Sequence, residues 1–400
     1  MKKALFITTI FASVGFLNPM QLFSGQLIKL FFYLCVFIGA VMAVVDGQSL
    51  RNKSYPAKPY FVLLTMIVIS TFSATAFHSQ SYRISLMATL PYFIGYFYFW
   101  IIMRLEVPEK FVLKSIFIAC AIAVPAYFIN LFSFPNIIFG TDIEEDLSRG
   151  ILRVPLLFLE FIVFVLFYAI NQLHLKTDYR KIWICVIVIC FIMIFLSVVR
   201  QVILYSIVLS LFFILKKMSW LKKIAILAAG IFIVLYVLPM IPAYNTMVEL
   251  SQSQIEENED TENVRIGAWR YYTFENQTND ITPVIGNGVP SIGNSLWGNM
   301  FESEIDSNGY FYDDISWAGI IYLFGWIAFI ALFVLILKTI MLPKPPNKEY
   351  LTYWFVFIAL SGIGTGVLTY YHQIFYIMIG MYLVYKDNYN ESDRSYNTEL

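Results

Sequence analysis

The stretch "YDDISWAGIIYLFGWIAF" (Tyr312–Phe329) decides how the chain is built. Two adjacent carboxylates, Asp313 and Asp314, stand where a long polar segment stops. An apolar run begins at Ile315 and reaches Leu337 without a charged residue. About 20 such residues carry a helix across a bilayer. The stretch is therefore the head of a membrane helix, and its two acids pose a question. They are either a hydrated collar or groups that do chemistry at the membrane surface.

The rest of the chain repeats the pattern. Its 400 residues are 59% hydrophobic, 18% aromatic and only 14% charged, where soluble proteins carry about 25% charged residues. Mean hydropathy is +0.69. The fold class expected is an all-α polytopic membrane protein. The net charge of zero hides segregated charges, and no basic tail suggests a nucleic-acid partner. Cys35, Cys120, Cys185 and Cys190 all lie in apolar stretches and form no CxxC pair, so neither disulfides nor a metal site is expected. The opening "MKKALFITTIFASVGFLN" lacks a small-residue cleavage site and runs on into another apolar segment. We read it as a retained first helix.

About twelve spans are expected, near 4–18, 26–45, 60–77, 84–103, 111–132, 151–171, 182–198, 201–215, 223–241, 315–337, 351–371 and 373–386. Basic residues fall in every second loop: Arg51, Lys53 and Lys58; Arg104 and Lys110; Lys176, Arg180 and Lys181; Lys216, Lys217, Lys222 and Lys223; Lys338, Lys344 and Lys348. Cytoplasmic loops are the Lys- and Arg-rich ones, so both termini are expected in the cytoplasm. The chain divides into residues 1–241 (spans one to nine), 242–314 (a large external loop), 315–386 (spans ten to twelve) and 387–400 (a tail). The loop carries thirteen acids against two arginines and contains the turn-forming "TPVIGNGVPSIGNSLWGNM".

The cations divide unevenly under this topology. The inner side carries sixteen Lys and four Arg; the outer side carries Lys29 and six arginines, Arg83, Arg149, Arg153, Arg200, Arg265 and Arg270. Arginine presents a planar fork of donors that grips phosphate or carboxylate at two points. The outer arginines therefore either meet an anionic ligand such as a lipid-linked phosphate or pair with loop carboxylates. Arg200, in "IFLSVVRQVILYSIVL", sits between two apolar runs. A charge so near hydrocarbon costs on the order of 2.5–3.5 kcal/mol unless it is paired or reaches the headgroups. Glu160 lies within span six as either a functional acid or a helix-pairing group. His372 near the end of span eleven is either a proton relay or a hydrogen-bonded interfacial residue. Trp269, Tyr272 and Trp297 are aromatic residues mixed into the polar loop, of the kind that form loop core or interfacial anchors.

These residues resemble the bacterial O-antigen polymerase and O-antigen ligase superfamily, which has ten to fourteen spans in a GT-C-like bundle and a large late external loop. "SRGILRVPLLFLEF" is similar to the family's Arg-Gly element before a middle span and places Arg149. "LSVVRQVILYSIVL" resembles its short outer turn with Arg and places Arg200. "VRIGAWRYY" followed by "NDITPVIGNG" resembles its Arg, Trp, Pro and Gly-x-Gly series, placing Arg265, Trp269, Pro283, Gly286 and Gly288. The family often shows a His eleven positions before a Gly. Counting back from Gly325 lands on Asp314, so Asp stands where His is usual.

The resemblance implies a glycosyltransferase of the inner membrane acting at its periplasmic face on undecaprenyl-pyrophosphate-linked glycan, with no metal and no cofactor. It would polymerise repeat units into O-antigen or capsular polysaccharide. The alternatives are a ligase passing glycan to lipid A core and a flippase for the lipid-linked unit. Under this reading Asp314 is the base, and Arg149, Arg200 and Arg265 hold the pyrophosphate. Arg153, Arg270, Trp269, Tyr272, Asp313 and His372 are candidates for binding substrate. Membrane lipid is an expected partner, and the acidic loop suits a chain-length regulator.

Overall fold

The computed structural model describes residues 1–16, 22–47, 55–134, 136–140, 154, 156–175, 179–216, 218–220, 223–224, 236, 238–240 and 264–386. Arg149 and Arg153, and most of the expected ninth span, lie outside the described residues. Every regular element among the described residues is helical. In chain order they are α1 (Lys2–Ser13), α2 (Gly25–Val45), α3 (Ala57–His78), α4 (Tyr82–Leu105), α5 (Glu109–Ser133), α6 (Leu159–His174), α7 (Arg180–Leu196) and α8 (Arg200–Lys216). Then follow α9 (Val264–Arg270), α10 (Thr282–Ile285), α11 (Leu296–Asn308), α12 (Ser316–Met341), α13 (Glu349–Ser361) and α14 (Tyr371–Tyr385). Five of them, α2, α3, α4, α5 and α12, are long and apolar enough to cross a membrane.

The helix ends follow from local chemistry. Ser24 and Ser81 cap α2 and α4 by accepting from the N–H groups of Leu27 and Ile84. Ser79 and Glu106 close α3 and α4 in the left-handed conformation. At the centre, α14 is buried from Ile374 to Tyr385, as suits a helix apolar all round. It packs on α4, while α12 packs on α3 and α13, and α6 packs on α7 and α13.

The basic groups tie one end of the bundle together. Lys348, almost fully buried, bonds to Glu109 at 2.7 Å and to the Leu383 carbonyl at 3.1 Å. Arg104 donates to the carbonyls of Ala43 (2.7 Å) and Gly47 (3.1 Å), and Lys216 pairs with Glu349.

The structure departs from the sequence reading in three places. The expected eleventh span, 351–371, stops at Ser361, and residues 362–370 form turns before α14. "SGIGTG" supplies the reason, since three glycines in five positions weaken a helix by about 1 kcal/mol each relative to Ala. Next, α12 is not continuous. Gly325 takes φ 84°, ψ 169°, which breaks the helix about 13 Å from its start, at 1.5 Å per residue. Finally, one stretch of the loop expected between the ninth and tenth spans is packed into the bundle. Residues 286–290 are buried, and the N–H groups of Asn287 and Gly288 donate to the Tyr322 (2.9 Å) and Leu323 (3.0 Å) carbonyls that the break releases. Ser73 of α3 donates to the Gly286 carbonyl, and Gln80 donates to Val289 (3.0 Å). Backbone carbonyls freed inside a packed bundle persist only where protein satisfies them, and here the Gly-x-Gly segment does so.

Candidate active site

A cavity of about 620 Å³ opens at the end of the bundle where α6, α8 and α12 begin and α13 stops. This is the end opposite the Lys348 and Lys216 contacts. Arg200, Arg265 and Asp314 line it together with Glu160, Gln201, Tyr370 and Gln373. Three of the four residues expected to carry chemistry thus share one space; the fourth, Arg149, is outside the described residues.

Each is placed by a separate device. Arg200 is the first residue of α8, after a turn through Val198. Val198 has φ 55°, a conformation rare for a β-branched residue. Such strain gathers at functional positions. The positive end of the α8 dipole also lies beside the cavity. Arg265 lies in the first turn of α9. In the amide orientation that satisfies both its neighbours, Gln201 accepts from the Arg265 guanidinium (3.2 Å) and donates to the Gly364 carbonyl (3.0 Å). A Cβ at Gly364 would overlap that amide, 2.6 Å from its Cδ. The "GIGTG" turn therefore makes room for the group that orients Arg265. The turn is itself pinned to the head of α12, where Leu368 N–H bonds to Ser316 Oγ (3.0 Å) and Trp317 N–H to the Gly362 carbonyl (3.1 Å).

The paired acids separate. Asp314 is exposed and lines the cavity, whereas Asp313 is half-buried behind it and takes a hydrogen bond from Thr369. Burial, reinforced by the Asp314 charge, pushes the Asp313 carboxyl from 3.8 up to about 7. In the unfolded chain this group ionises near its ordinary value. The native state therefore binds the extra proton between about pH 4 and pH 7, and stability falls as pH rises through that window. Asp313→Asn is expected to flatten this decline in detergent melting curves recorded from pH 5 to pH 8. A decline unchanged in the variant would rule out Asp313 as its source.

Among the described residues, the remaining expected binding residues do not line the cavity; Arg153 lies outside them. Tyr272 is fully buried and donates to the Tyr310 carbonyl within an aromatic cluster of Phe301, Tyr312 and Tyr322. Trp269 donates to the Ile363 carbonyl (3.0 Å), which seats α9 on the glycine turn. Arg270 pairs with Glu275 at 2.6 Å. His372 packs among the rings of Tyr370, Tyr371 and Tyr376. Trp297 stacks on His78 at 3.8 Å.

Sequence reasoning did not single out Gln201, Gln373 or Tyr370. The usable signal was a polar amide directly after Arg200 in an apolar run, and a second amide after His372. Among the described residues, no three His, Cys, Asp or Glu side chains gather as a metal-binding group. Compared with known proteins, the chain matches no family model and no curated sequence.

Proposed function

We propose that the chain is a membrane-embedded glycosyltransferase. It joins undecaprenyl-pyrophosphate-linked repeat units into O-antigen or capsular polysaccharide at the periplasmic face of the inner membrane, with both termini in the cytoplasm. One observation carries the reading: Arg200, Arg265 and Asp314, drawn from three separate elements, line a single cavity of about 620 Å³. In the reaction Asp314 takes the proton of an acceptor sugar hydroxyl. The oxygen attacks the anomeric carbon of the donor glycan, and the bond from that carbon to the pyrophosphate oxygen breaks. The departing pyrophosphate gains charge, which Arg200 and Arg265 meet with fixed guanidinium forks. Fixed cations supply the electrostatic help that a metal gives other transferases.

The break in α12 favours a second reading, a flippase, because discontinuous helices bind cargo in many transporters. There the freed backbone faces the substrate. Here the freed carbonyls of Tyr322 and Leu323 are occupied by Asn287 and Gly288, so the break supports the polymerase scaffold better than a transport site.

Deleting the gene tests all three activities. The expected product is lipid A core bearing one repeat unit, seen as a single shifted band. Bare core would instead identify a ligase, and repeat units trapped on the carrier at the cytoplasmic face would identify a flippase.

A further inference from the structure

Two large rings in the cavity wall stand in the open. Of the aromatic residues that line it, Phe357 is only 2% exposed, whereas Phe311 is 49% and Tyr370 41% exposed. The aromatic residues expected to bind substrate are committed to the fold instead, since Trp269 seats α9 and Tyr272 lies in the core. A single exposed Phe or Tyr is ordinary. What sets this pair apart is that the backbone holds both rings beside the acids.

The Asp314 N–H donates to the Phe311 carbonyl at 3.1 Å, which closes one tight turn carrying both the ring and the acid. Tyr370 follows the glycine turn. Its N–H donates to the Gly366 carbonyl (3.0 Å), and its own carbonyl accepts from Ile374 N–H in the first turn of α14 (3.0 Å). The ring lies directly over Gly366: a Cβ there would run into Tyr370 Cε2 and stand 2.5 Å from the Asp313 carbonyl oxygen. The two glycines therefore do separate work. Gly364 gives space to the amide that orients Arg265, and Gly366 lets the Tyr370 ring approach the backbone of the acid pair.

The chemistry of a ligand for this wall is restricted. Aromatic faces carry the negative side of the ring quadrupole, so the rings do not serve the pyrophosphate. A polyprenyl or acyl chain suits the rings, but it would strip water from Asp314, Arg200 and Arg265 and give nothing back. A sugar meets both demands. One face of a pyranose is a layer of C–H bonds that lies on an aromatic ring, and its edge carries hydroxyls that donate to a carboxylate.

We propose that Phe311 and Tyr370 form an aromatic platform for the acceptor sugar, holding its ring beside Asp314 so that a hydroxyl reaches the carboxylate. The inference rests on the polymerase reading and names how its acceptor is bound. Arg200 and Arg265 take the anionic part of the donor, and the platform takes the acceptor's uncharged ring.

The test uses the full chain in nanodiscs and two probes followed by saturation-transfer NMR. These are inorganic pyrophosphate and the repeat-unit oligosaccharide freed from its lipid by mild acid. Phe311→Leu and Tyr370→Leu keep apolar bulk and remove the flat face. Each is expected to weaken oligosaccharide binding about three- to tenfold, the range that ring-face contacts reach beyond area burial. Pyrophosphate binding should stay at the wild-type level, which also certifies the fold. Phe311→Tyr and Tyr370→Phe keep the rings and should bind oligosaccharide as the wild type does. Oligosaccharide binding unchanged in both leucine variants would overturn the proposal, because a wall that serves a lipid chain tolerates leucine. So would equal loss of both probes, a loss in Tyr370→Phe as large as in Tyr370→Leu, or a wild-type chain that takes no oligosaccharide. The polymerase reading fails separately: it falls if Arg200→Ala retains both pyrophosphate binding and chain extension, whatever Phe311 and Tyr370 do.

Discussion

Arg200→Ala and Arg265→Ala are each expected to abolish long-chain polysaccharide while the protein still reaches the membrane at its normal level. In the proposed reaction pyrophosphate would depart with charge that water no longer shields inside a cavity. Removing one preorganised donor from such a site costs on the order of 10²–10³ in rate. In cells a deficit of that size leaves single repeat units on the carrier and no ladder. Neither change should unfold the chain. Arg200 opens α8 at the cavity, and Arg265 sits on a short exposed helix held down separately by the Trp269 bond to Ile363.

Arg200→Lys separates charge from geometry. A lysine restores the positive charge but not the two-point fork, so the ladder is expected to stay absent or short. Gln201→Ala should produce a milder loss, because it removes only the group that orients Arg265 against the Gly364 carbonyl. Polysaccharide gels from the native host read all four variants. Normal ladders from both alanine variants would leave the assignment without support.

The helices were legible because apolar runs and their polar breaks are written locally. The sequence expects 60–77 and 84–103, and the structure has Ala57–His78 and Tyr82–Leu105, the differences lying at capping residues. The convergence of Arg200, Arg265 and Asp314 was legible in kind, since arginine so near hydrocarbon needs a purpose. It was not legible in geometry, because the three lie on elements separated by 49 to 114 positions and nothing local joins them.

The division of labour between the two acids depended on burial. Asp313 turns toward Thr369 while Asp314 faces the cavity; in the sequence only the register to Gly325 singled out Asp314, and nothing local showed which acid is buried. Glu160 was visible as an ionisable group in an apolar run. Its partner Gln373 lies 213 positions away and reads, on its own, as an ordinary interfacial amide. The break in α12 was hidden for a different reason. A lone glycine in a long apolar helix is tolerated, so Gly325 is uninformative until its neighbour in space is known.

That neighbour makes Gly325→Ala the most damaging single substitution expected in the scaffold. Gly325 adopts φ 84°, ψ 169°, a region open essentially to glycine alone. A Cβ there would run into the Val284 carbonyl and stand 2.6 Å from Gly286 N. The opposing glycine is equally committed, since a Cβ at Gly286 would lie 2.5 Å from Phe324 Cα. Both contacts are backbone against backbone, so no rotamer change relieves them. The segment from Val284 to Gly288 must move away from α12, and the Asn287 and Gly288 bonds to Tyr322 and Leu323 are lost with it.

Backbone strain of about 1–3 kcal/mol adds to two buried carbonyls at about 1–3 kcal/mol each. The sum reaches a large part of the roughly 5–15 kcal/mol that holds a typical domain together. The variant should fail to accumulate as a monodisperse species in detergent, which is a folding defect and not merely a catalytic one. Gly293→Ala isolates the conformational part, because Gly293 also has positive φ (74°) but no atom within 4 Å of its Cβ position. It is expected to cost only about 1 kcal/mol and to leave polymer length unchanged. A Gly325→Ala protein that melts with the wild type would mean that α12 can close into a continuous helix without expelling the Gly-x-Gly segment. The scaffold under the cavity would then owe nothing to that junction.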